Sequence, residues 1–183
     1  MTDTADRPIR TVRGLVRAGV THVVGIPDNT SGPLFHQVAR HPTVRLVTVT
    51  REGEAFALAS GLWLGGASPL VVIQNTGLLE AGDALRGTAL RMGVGLPCVV
   101  TGRGYAKMES AGITPYVERS AELLTRADVD STALFTEPTL DAWGIPWSRC
   151  GGQDDPVAAI AALVATAAET SWTHALILTR ALD

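Results

Sequence analysis

The sequence is poor in lysine and in aromatic residues. Lys107 is its one lysine, so nearly all of the positive charge comes from arginine, and aromatics make up 5% of the 183 residues. The formal net charge is −3, and no basic run with interleaved aromatics occurs, which argues against a nucleic-acid-binding protein. Hydrophobic residues reach 46% and charged residues 18%, a composition typical of a globular chain with a substantial core.

Cysteines and long apolar runs are also few. Cys98 and Cys150 cannot form a disulfide framework and lack the spacing of a metal site, so we expect two buried thiols in a reducing cytoplasm. The N-terminus is polar and lacks the apolar core of a signal peptide. The longest apolar run, residues 157–168, is too short and too rich in alanine to span a bilayer. These features predict a soluble cytoplasmic protein.

Several common catalytic motifs are missing as well. The chain has no G-x-S-x-G elbow, no Walker loop and no G-x-G-x-x-G after its first predicted strand. Its histidines are scattered, without an H-E-x-x-H pair or a similar arrangement. Neither phosphate binding by those loops nor a metal site in this chain is therefore predicted.

Short apolar runs alternate with helical patterns along the chain. Strands are predicted at residues 21–26, 44–50, 70–75, 96–102 and 174–179, and helices at 8–18, 32–40, 52–64, 79–92 and 158–170. Strands this uniformly apolar suit a parallel sheet that is covered on both faces, and the alternation predicts an open α/β sheet. Residues 144–156 are interpreted as a linker to the last helix and strand, and residues 1–183 are predicted to form a single domain.

Polar turns with glycines follow four of the predicted strands. Ligands of open parallel sheets bind at the carboxyl ends of the strands, so these turns predict a binding site. Its candidates are Asp28, Asn29 and Thr30, then Glu52 and Glu54, then Gln74, Asn75, Thr76 and Gly77, and finally Arg103. The first of these turns has two interpretations. It is ordinary turn chemistry in which Thr30 or Ser31 caps the next helix, or that helix start is an anion site.

Two carboxylates begin the third predicted helix, whose other residues are almost all apolar. A glutamate in a first turn commonly just complements the helix dipole, and this applies to both Glu52 and Glu54. Glu54, however, shares its face with Leu58, Gly61 and Leu62. We therefore expect Glu54 to be partly buried with a raised pKa, as suits an acid that transfers a proton.

Three stretches together resemble a known family. They are GIPD at residues 25–28, REGEA at 51–55 and VIQNTGL at 72–78, with a weaker match in LDAWGIPW at 140–147. At this spacing the chain resembles the pyrimidine-binding domain of thiamine diphosphate-dependent 2-oxoacid decarboxylases over about residues 20–105. It is most similar to the phosphonopyruvate and sulfopyruvate decarboxylases, and the latter are often built from separate α and β chains.

The resemblance implies a role for each candidate. In the family, the acid at the head of the small-residue helix hydrogen-bonds N1′ of the aminopyrimidine and promotes loss of the thiazolium C2 proton. Position assigns this catalytic role to Glu54, with Glu52 as the alternative. The resemblance further implies that thiamine diphosphate is bound by Glu54, Gln74, Asn75, Thr76 and Gly77. For the anionic substrate, the candidates are Asp28, Asn29, Thr30 and Arg103, with Arg51 and Arg86 as further sources of charge.

The chain departs from the family at two places. It lacks G-D-G followed by Asn-Asn, so a β subunit would hold the diphosphate and Mg²⁺, in an α2β2 or larger complex. Leu79 and Glu80 replace the usual Gly-Asn near the substrate. The resulting prediction is the α subunit of a decarboxylase that converts a 2-oxo acid such as phosphonopyruvate or sulfopyruvate to the aldehyde and CO2. The alternatives are a subunit of a carboligase similar to acetolactate synthase, and a non-catalytic interaction subunit.

Overall fold

Six parallel strands form one open sheet in the computed structural model, which describes residues 7–179. The strand order is β2-β1-β3-β4-β6-β5, and every neighbouring pair is parallel. The strands are β1 (His22–Gly25), β2 (Arg45–Thr48), β3 (Pro69–Gln74), β4 (Pro97–Thr101), β5 (Trp147–Cys150) and β6 (His174–Leu178). The central strands β3 and β4 are almost wholly buried, as their uninterrupted apolar sequences predict.

Helices cover both faces of this sheet. They are α1 (Arg7–Arg17), α2 (Gly32–Val38), α3 (Glu52–Leu64), α4 (Asn75–Glu80), α5 (Gly82–Leu85), a π-helical turn (Arg86–Leu90), α6 (Tyr105–Ser110), α7 (Ala121–Thr125), α8 (Ser131–Ala142) and α9 (Pro156–Thr170). One core joins the sheet to α3–α8, around Phe56 and Leu134. The other core joins it to α1, α2 and α9, around Leu15 and Ile160. The predicted fold class, an open parallel α/β sheet with helices on both faces, is confirmed.

The structure corrects two predicted segments and adds others. Residues 144–156 are not only a linker, because they contain β5, an edge strand that pairs with β6. The helix predicted at 79–92 is divided into the end of α4, the short α5 and the π-helical turn. The sequence analysis did not predict α6, α7 or α8, and α8 carries Pro138 in its interior. Propensity and hydrophobic period are weak signals in such short or irregular elements.

Two further expectations concern the cysteines and the membrane. Cys98 and Cys150 are both buried, each 1% exposed, and burial raises the pKa of the Cys98 thiol. The expectation of buried thiols is confirmed. Within residues 7–179, none of the helices has the length and apolar character needed to cross a membrane.

A buried carboxylate fastens the edge strand β5 to the helix layer. Glu137 of α8 is 1% exposed and pairs with Arg149 of β5, whose side chain is 45% exposed. The Arg149 guanidinium also lies 5.3 Å from the centre of the Tyr105 ring. Burying a carboxylate is costly unless a cation and hydrogen bonds accompany it, so the stability of Glu137 in this position depends on Arg149.

We expect Arg149→Ala to lower the free energy of unfolding by about 2 kcal/mol, because it leaves Glu137 buried without its cation. The matched control is Arg126→Ala, which breaks the exposed pair of Arg126 and Asp128 and should cost about 0.5 kcal/mol or less. Urea denaturation of both variants measures the difference. Equal losses in the two variants would contradict the prediction.

Candidate functional site

The four predicted turns meet at one edge of the sheet. Because the strands are parallel, the carboxyl ends of β1, β2, β3 and β4 all lie at this edge. The register sets Gly25 at the end of β1 beside Val72, and Gln74 at the end of β3 beside Thr101. The sequence-predicted candidates are therefore brought together, as the pattern of strands and turns indicates.

The Asp28 carboxylate links the ends of three strands. Its Oδ1 atom accepts hydrogen bonds from the backbone N–H of Thr30 at 3.0 Å and of Ser31 at 2.7 Å, and from the Ser31 hydroxyl at 2.7 Å. Its Oδ2 atom accepts from Gln74 Nε2 at 3.1 Å and from Thr101 Oγ1 at 2.5 Å. Five donors therefore surround Asp28, and they come from the turn after β1 and from the ends of β3 and β4.

These bonds decide how Asp28 titrates. Burial alone would raise the pKa of Asp28, but the hydrogen bonds from Thr101, Ser31 and Gln74 outweigh burial and hold the pKa below its ordinary value of 3.8. The same bonds also occupy the N–H groups of Thr30 and Ser31. Of the two interpretations of this turn, turn chemistry is therefore the one that accounts for these N–H groups, and substrate binding by Asp28, Asn29 and Thr30 stays a prediction. Ser31 does stand at the N-cap of α2, but its side chain makes no capping bond to that helix.

The Asn75 side chain joins the start of α4 to the turn after β4. It is fully buried, donates from Nδ2 to the Arg103 carbonyl at 2.9 Å and accepts from the Arg103 N–H at 3.1 Å. Next to it, Thr76 Oγ1 donates to Gln74 Oε1 at 3.2 Å. The amides and the hydroxyl that the sequence analysis assigned to the cofactor thus hold the turn in shape, and their contact with a cofactor stays a prediction. Asn29, a substrate candidate, is exposed in the first turn.

Glu54 folds back onto the start of its own helix. Its carboxylate accepts from the Thr50 N–H at 2.9 Å, from the Thr50 hydroxyl at 3.0 Å and from the Arg51 N–H at 3.3 Å. The side chain is exposed, and the hydrogen bonds from Thr50 and Arg51 lower the pKa of Glu54. The expectation of partial burial and a raised pKa is wrong for this residue. A glutamate at the third helical position commonly caps the helix in this way.

Glu52 lies instead against the first turn of α4. A Cβ atom placed on Gly77 would come within 2.2 Å of Glu52 Cγ and 2.3 Å of its Oε1, so the absence of a side chain at Gly77 makes room for this carboxylate. Glu52 is half-buried. In the part of the chain that the structure describes, no hydrogen bond or ion pair engages its carboxylate. Of the two acids, Glu52 is the one that contacts the Gln74–Gly77 stretch.

Glu80 of α4 contacts the start of α3. Its Oε1 accepts from Arg51 Nε at 3.0 Å and also from Arg51 Nη2, and its Oε2 accepts from the Gly53 N–H at 3.1 Å. The hydrogen bond from Arg51 is the main cause that lowers the pKa of Glu80. The residue that departs from the family pattern therefore ties the end of α4 to the start of α3. The sequence analysis noticed the departure but did not predict this contact.

Each of the three arginines considered for an anionic substrate lies beside a carboxylate. Arg51 pairs with Glu80, Arg86 Nη2 lies 2.6 Å from Asp83, and Arg103 Nε lies 3.8 Å from Asp130. The Arg103 side chain is 64% exposed, and its ion pair is the longest of the three. All three side chains are exposed to a similar degree, so the longer ion pair alone makes Arg103 the arginine least firmly held by its carboxylate.

A family comparison identifies the family to which the chain belongs. Residues 10–120 match the family described as "Thiamine pyrophosphate enzyme, N-terminal TPP binding domain", and this match covers more than half of the chain. The chain belongs to this family of thiamine pyrophosphate enzymes. The resemblance stated from the motifs is confirmed.

Curated relatives are decarboxylases. The chain is 43% identical over 89 residues to the phosphonopyruvate decarboxylase of Streptomyces viridochromogenes, a match that covers 49% of this chain and 22% of the relative. It is 28% identical over 91 residues to the sulfopyruvate decarboxylase subunit alpha of Methanothermobacter thermautotrophicus, a match that covers 50% of this chain and 55% of the relative. The chain thus spans about a fifth of the first relative and about half of the second.

Solved structures confirm the fold. The benzoylformate decarboxylase of Polynucleobacter necessarius superposes with a TM-score of 0.67 at 20% identity, over 97% of this chain and 30% of that chain. A thiamin diphosphate-dependent enzyme of Mycobacterium smegmatis gives a TM-score of 0.65, also at 20% identity, over 97% of this chain and 30% of its own. At this identity the likeness establishes the shared α/β fold.

We expect Asp28→Asn to lower the free energy of unfolding by about 2 kcal/mol at pH 7. The asparagine NH2 group would face hydrogen-bond donors where the carboxylate oxygen accepts from them. The folded-state pKa of Asp28 lies below its unfolded value, so the ionised carboxylate stabilises the fold above about pH 4. That contribution is lost as the pH falls through the folded pKa. Urea denaturation of both proteins from pH 7 to pH 3 tests this, and a difference that stays constant down to pH 3 would contradict it.

Proposed function

We propose that this chain is the pyrimidine-binding α subunit of a two-subunit thiamine diphosphate-dependent decarboxylase. It would act on a 2-oxo acid with a second anionic group, such as phosphonopyruvate or sulfopyruvate, and release the aldehyde and CO2. Family membership and the names of the relatives support the class of reaction. The observation that carries the proposal is the contact of the Glu52 carboxylate with Gly77 at the carboxyl edge of the sheet.

The residues at this edge fit the aminopyrimidine of the cofactor. The pyrimidine ring has a nitrogen that needs an acid, and Glu52 offers a half-buried carboxylate without another hydrogen bond among the described residues. The absence of a side chain at Gly77 lets the Glu52 carboxylate lie at this edge. When bound, thiamine diphosphate supplies a carbon nucleophile and an acceptor for the electrons left by departing CO2. Glu52 would hold and exchange a proton at the pyrimidine nitrogen N1′.

This proposal gives the catalytic role to Glu52, which was the alternative to Glu54 in the sequence analysis. Glu54 was the first choice there, but three donors from Thr50 and Arg51 occupy its carboxylate and lower its pKa. Using Glu54 as the acid would require those capping bonds to break. Glu52 requires no such change, so we infer that Glu52 is the acid and that Glu54 stabilises the helix start.

The proposal includes a β subunit that holds the diphosphate and Mg²⁺, in an α2β2 or larger assembly. The relative named as a subunit alpha supports a divided enzyme. The outer face of α3 supports a contact surface, because Leu58 and Leu64 are 41% and 57% exposed and the helix carries no charge after its first turn. A groove of about 970 Å³ runs beside this face, between α3 and β2. Exposed apolar surface of this kind commonly marks a protein interface.

The main test compares Glu52→Gln with Glu54→Gln in the complex with the β subunit. We expect Glu52→Gln to slow hydrogen–deuterium exchange at C2 of bound cofactor by about 10²–10⁴-fold, because glutamine cannot exchange a proton with N1′. Glu54→Gln should change the exchange rate less than about tenfold, because it weakens only the capping bonds.

Two outcomes would contradict this assignment. If Glu54→Gln abolishes exchange while Glu52→Gln leaves it fast, Glu54 is the acid. If neither substitution changes the rate, the chain is not a catalytic pyrimidine domain. Urea denaturation of both variants controls for loss of folding.

The substrate is tested by turnover of the complex. We expect kcat/KM for 2-oxo acids that carry a phosphonate or sulfonate to exceed that for pyruvate by about 10-fold or more, because a charge-assisted pair with Arg103 adds about 1.5–3 kcal/mol. Arg103→Gln should remove most of that preference, whereas Arg45→Gln, on an exposed arginine at the amino end of β2, should not. Equal rates on pyruvate and the anionic substrates would contradict the prediction.

A further inference from the structure

Glu80 determines where the Arg51 guanidinium lies. Arg51 directly precedes Glu52, yet its Nε and Nη2 atoms both donate to Oε1 of Glu80 on α4. Among the residues that the structure describes, no ion pair joins Arg51 to Glu52 or to Glu54. The Arg51 guanidinium therefore pairs with Glu80, although the proposed acid Glu52 is next to Arg51 in the sequence.

We propose that Glu80 is a positioning residue, which holds the Arg51 guanidinium and so prevents it from pairing with the Glu52 carboxylate. The inference rests on the proposed function, in which Glu52 must hydrogen-bond the pyrimidine of the cofactor. The proposal gives a role to Glu80, which the sequence analysis identified as a departure from the family's usual Gly-Asn.

The neighbouring carboxylates explain why a released Arg51 would turn to Glu52. Besides Glu80, the acids at the start of α3 are Glu52 and Glu54. Glu54 already accepts from Thr50 and from the Arg51 backbone, whereas Glu52 has no such partner in the described residues. An ion pair on Glu52 would have to break each time the carboxylate bonded to the cofactor. We expect the breaking of such an ion pair to slow this step by about threefold to fivefold.

Glu80 also accepts the Gly53 N–H at 3.1 Å, so a purely structural role at the start of α3 is the competing explanation. Glu80→Gln separates the two roles. The glutamine carbonyl can still accept the Gly53 N–H, but the neutral side chain no longer attracts Arg51. The charge-matched control is Asp83→Asn, which removes an acid from the adjacent α5 and breaks the pair of Arg86 and Asp83.

The first measurement uses NMR of the full chain without a partner or cofactor. In the wild type, the Arg51 Nε–H should show nuclear Overhauser contacts to the side chain of Glu80. In Glu80→Gln we expect these contacts to move to the side chain of Glu52, and in Asp83→Asn to stay as in the wild type. If Arg51 makes no contact with Glu52 in Glu80→Gln, the proposal is overturned.

The second measurement is the rate of C2 exchange of bound cofactor in the complex. Glu80→Gln should slow exchange about threefold to fivefold. The double variant Arg51→Gln/Glu80→Gln should return to within about twofold of the wild type, since the competing cation is gone. A double variant as slow as Glu80→Gln would show that Glu80 acts through the helix start, and would overturn the proposal. A wild-type complex without any exchange would instead contradict the proposed function, and the NMR contacts would then still decide where Glu80 directs Arg51.

Discussion

One carboxylate with five hydrogen bonds holds the carboxyl edge of the sheet together. Asp28 binds the turn after β1 to the ends of β3 and β4, and bonds to an ionised acceptor are stronger than bonds between neutral groups. Its hold on Gln74 fixes where β3 ends and where α4 begins. The buried Asn75, bonded to Arg103, extends the same rigid arrangement. Gly77 follows about one helical turn later, so the space that admits the Glu52 carboxylate depends on a charge in the turn after the neighbouring strand β1.

The central sheet was predictable because its strands are continuous apolar runs that only a doubly covered parallel sheet can bury. The elements that the sequence analysis missed lack that signal. Strand β5 is an edge strand with Ser148 and Arg149 exposed, so its sequence is polar, and its position is defined by pairing with β6. The predicted helix at 79–92 is interrupted near Gly82, where a side chain would come within 2.8 Å of the Trp143 ring. Contacts between distant segments determine both the position of β5 and the interruption near Gly82. A local sequence pattern therefore does not predict either of them.

The position of the candidate site in the fold was predictable from the sequence, whereas the roles of its two glutamates were less so. Strand ends followed by polar turns place all the candidates on one edge, since parallel strands share a direction. The choice between the two glutamates was different, because it depended on the surroundings of α3. The sequence analysis took a helix that is apolar all round to be buried all round, but the side that carries Leu58 is exposed. Glu54 lies on that side and accepts hydrogen bonds from Thr50, just before its own helix. Glu52 contacts Gly77, which lies 25 residues further along the chain.

The order of the strands also has a consequence for the growing polypeptide. Strand β6 lies between β4 and β5, although it follows both in the sequence. While the ribosome is still making β6, strand β5 has no neighbour with which to form a ladder, and Arg149 has no fixed strand from which to reach Glu137. The part of the sheet that contains β1, β2, β3 and β4 can assemble earlier, because the pairings among these four strands are then available. The ion pair between Arg149 and Glu137 at the far edge of the sheet therefore forms late, and β4 and β5 both keep an unpaired edge until β6 is in place.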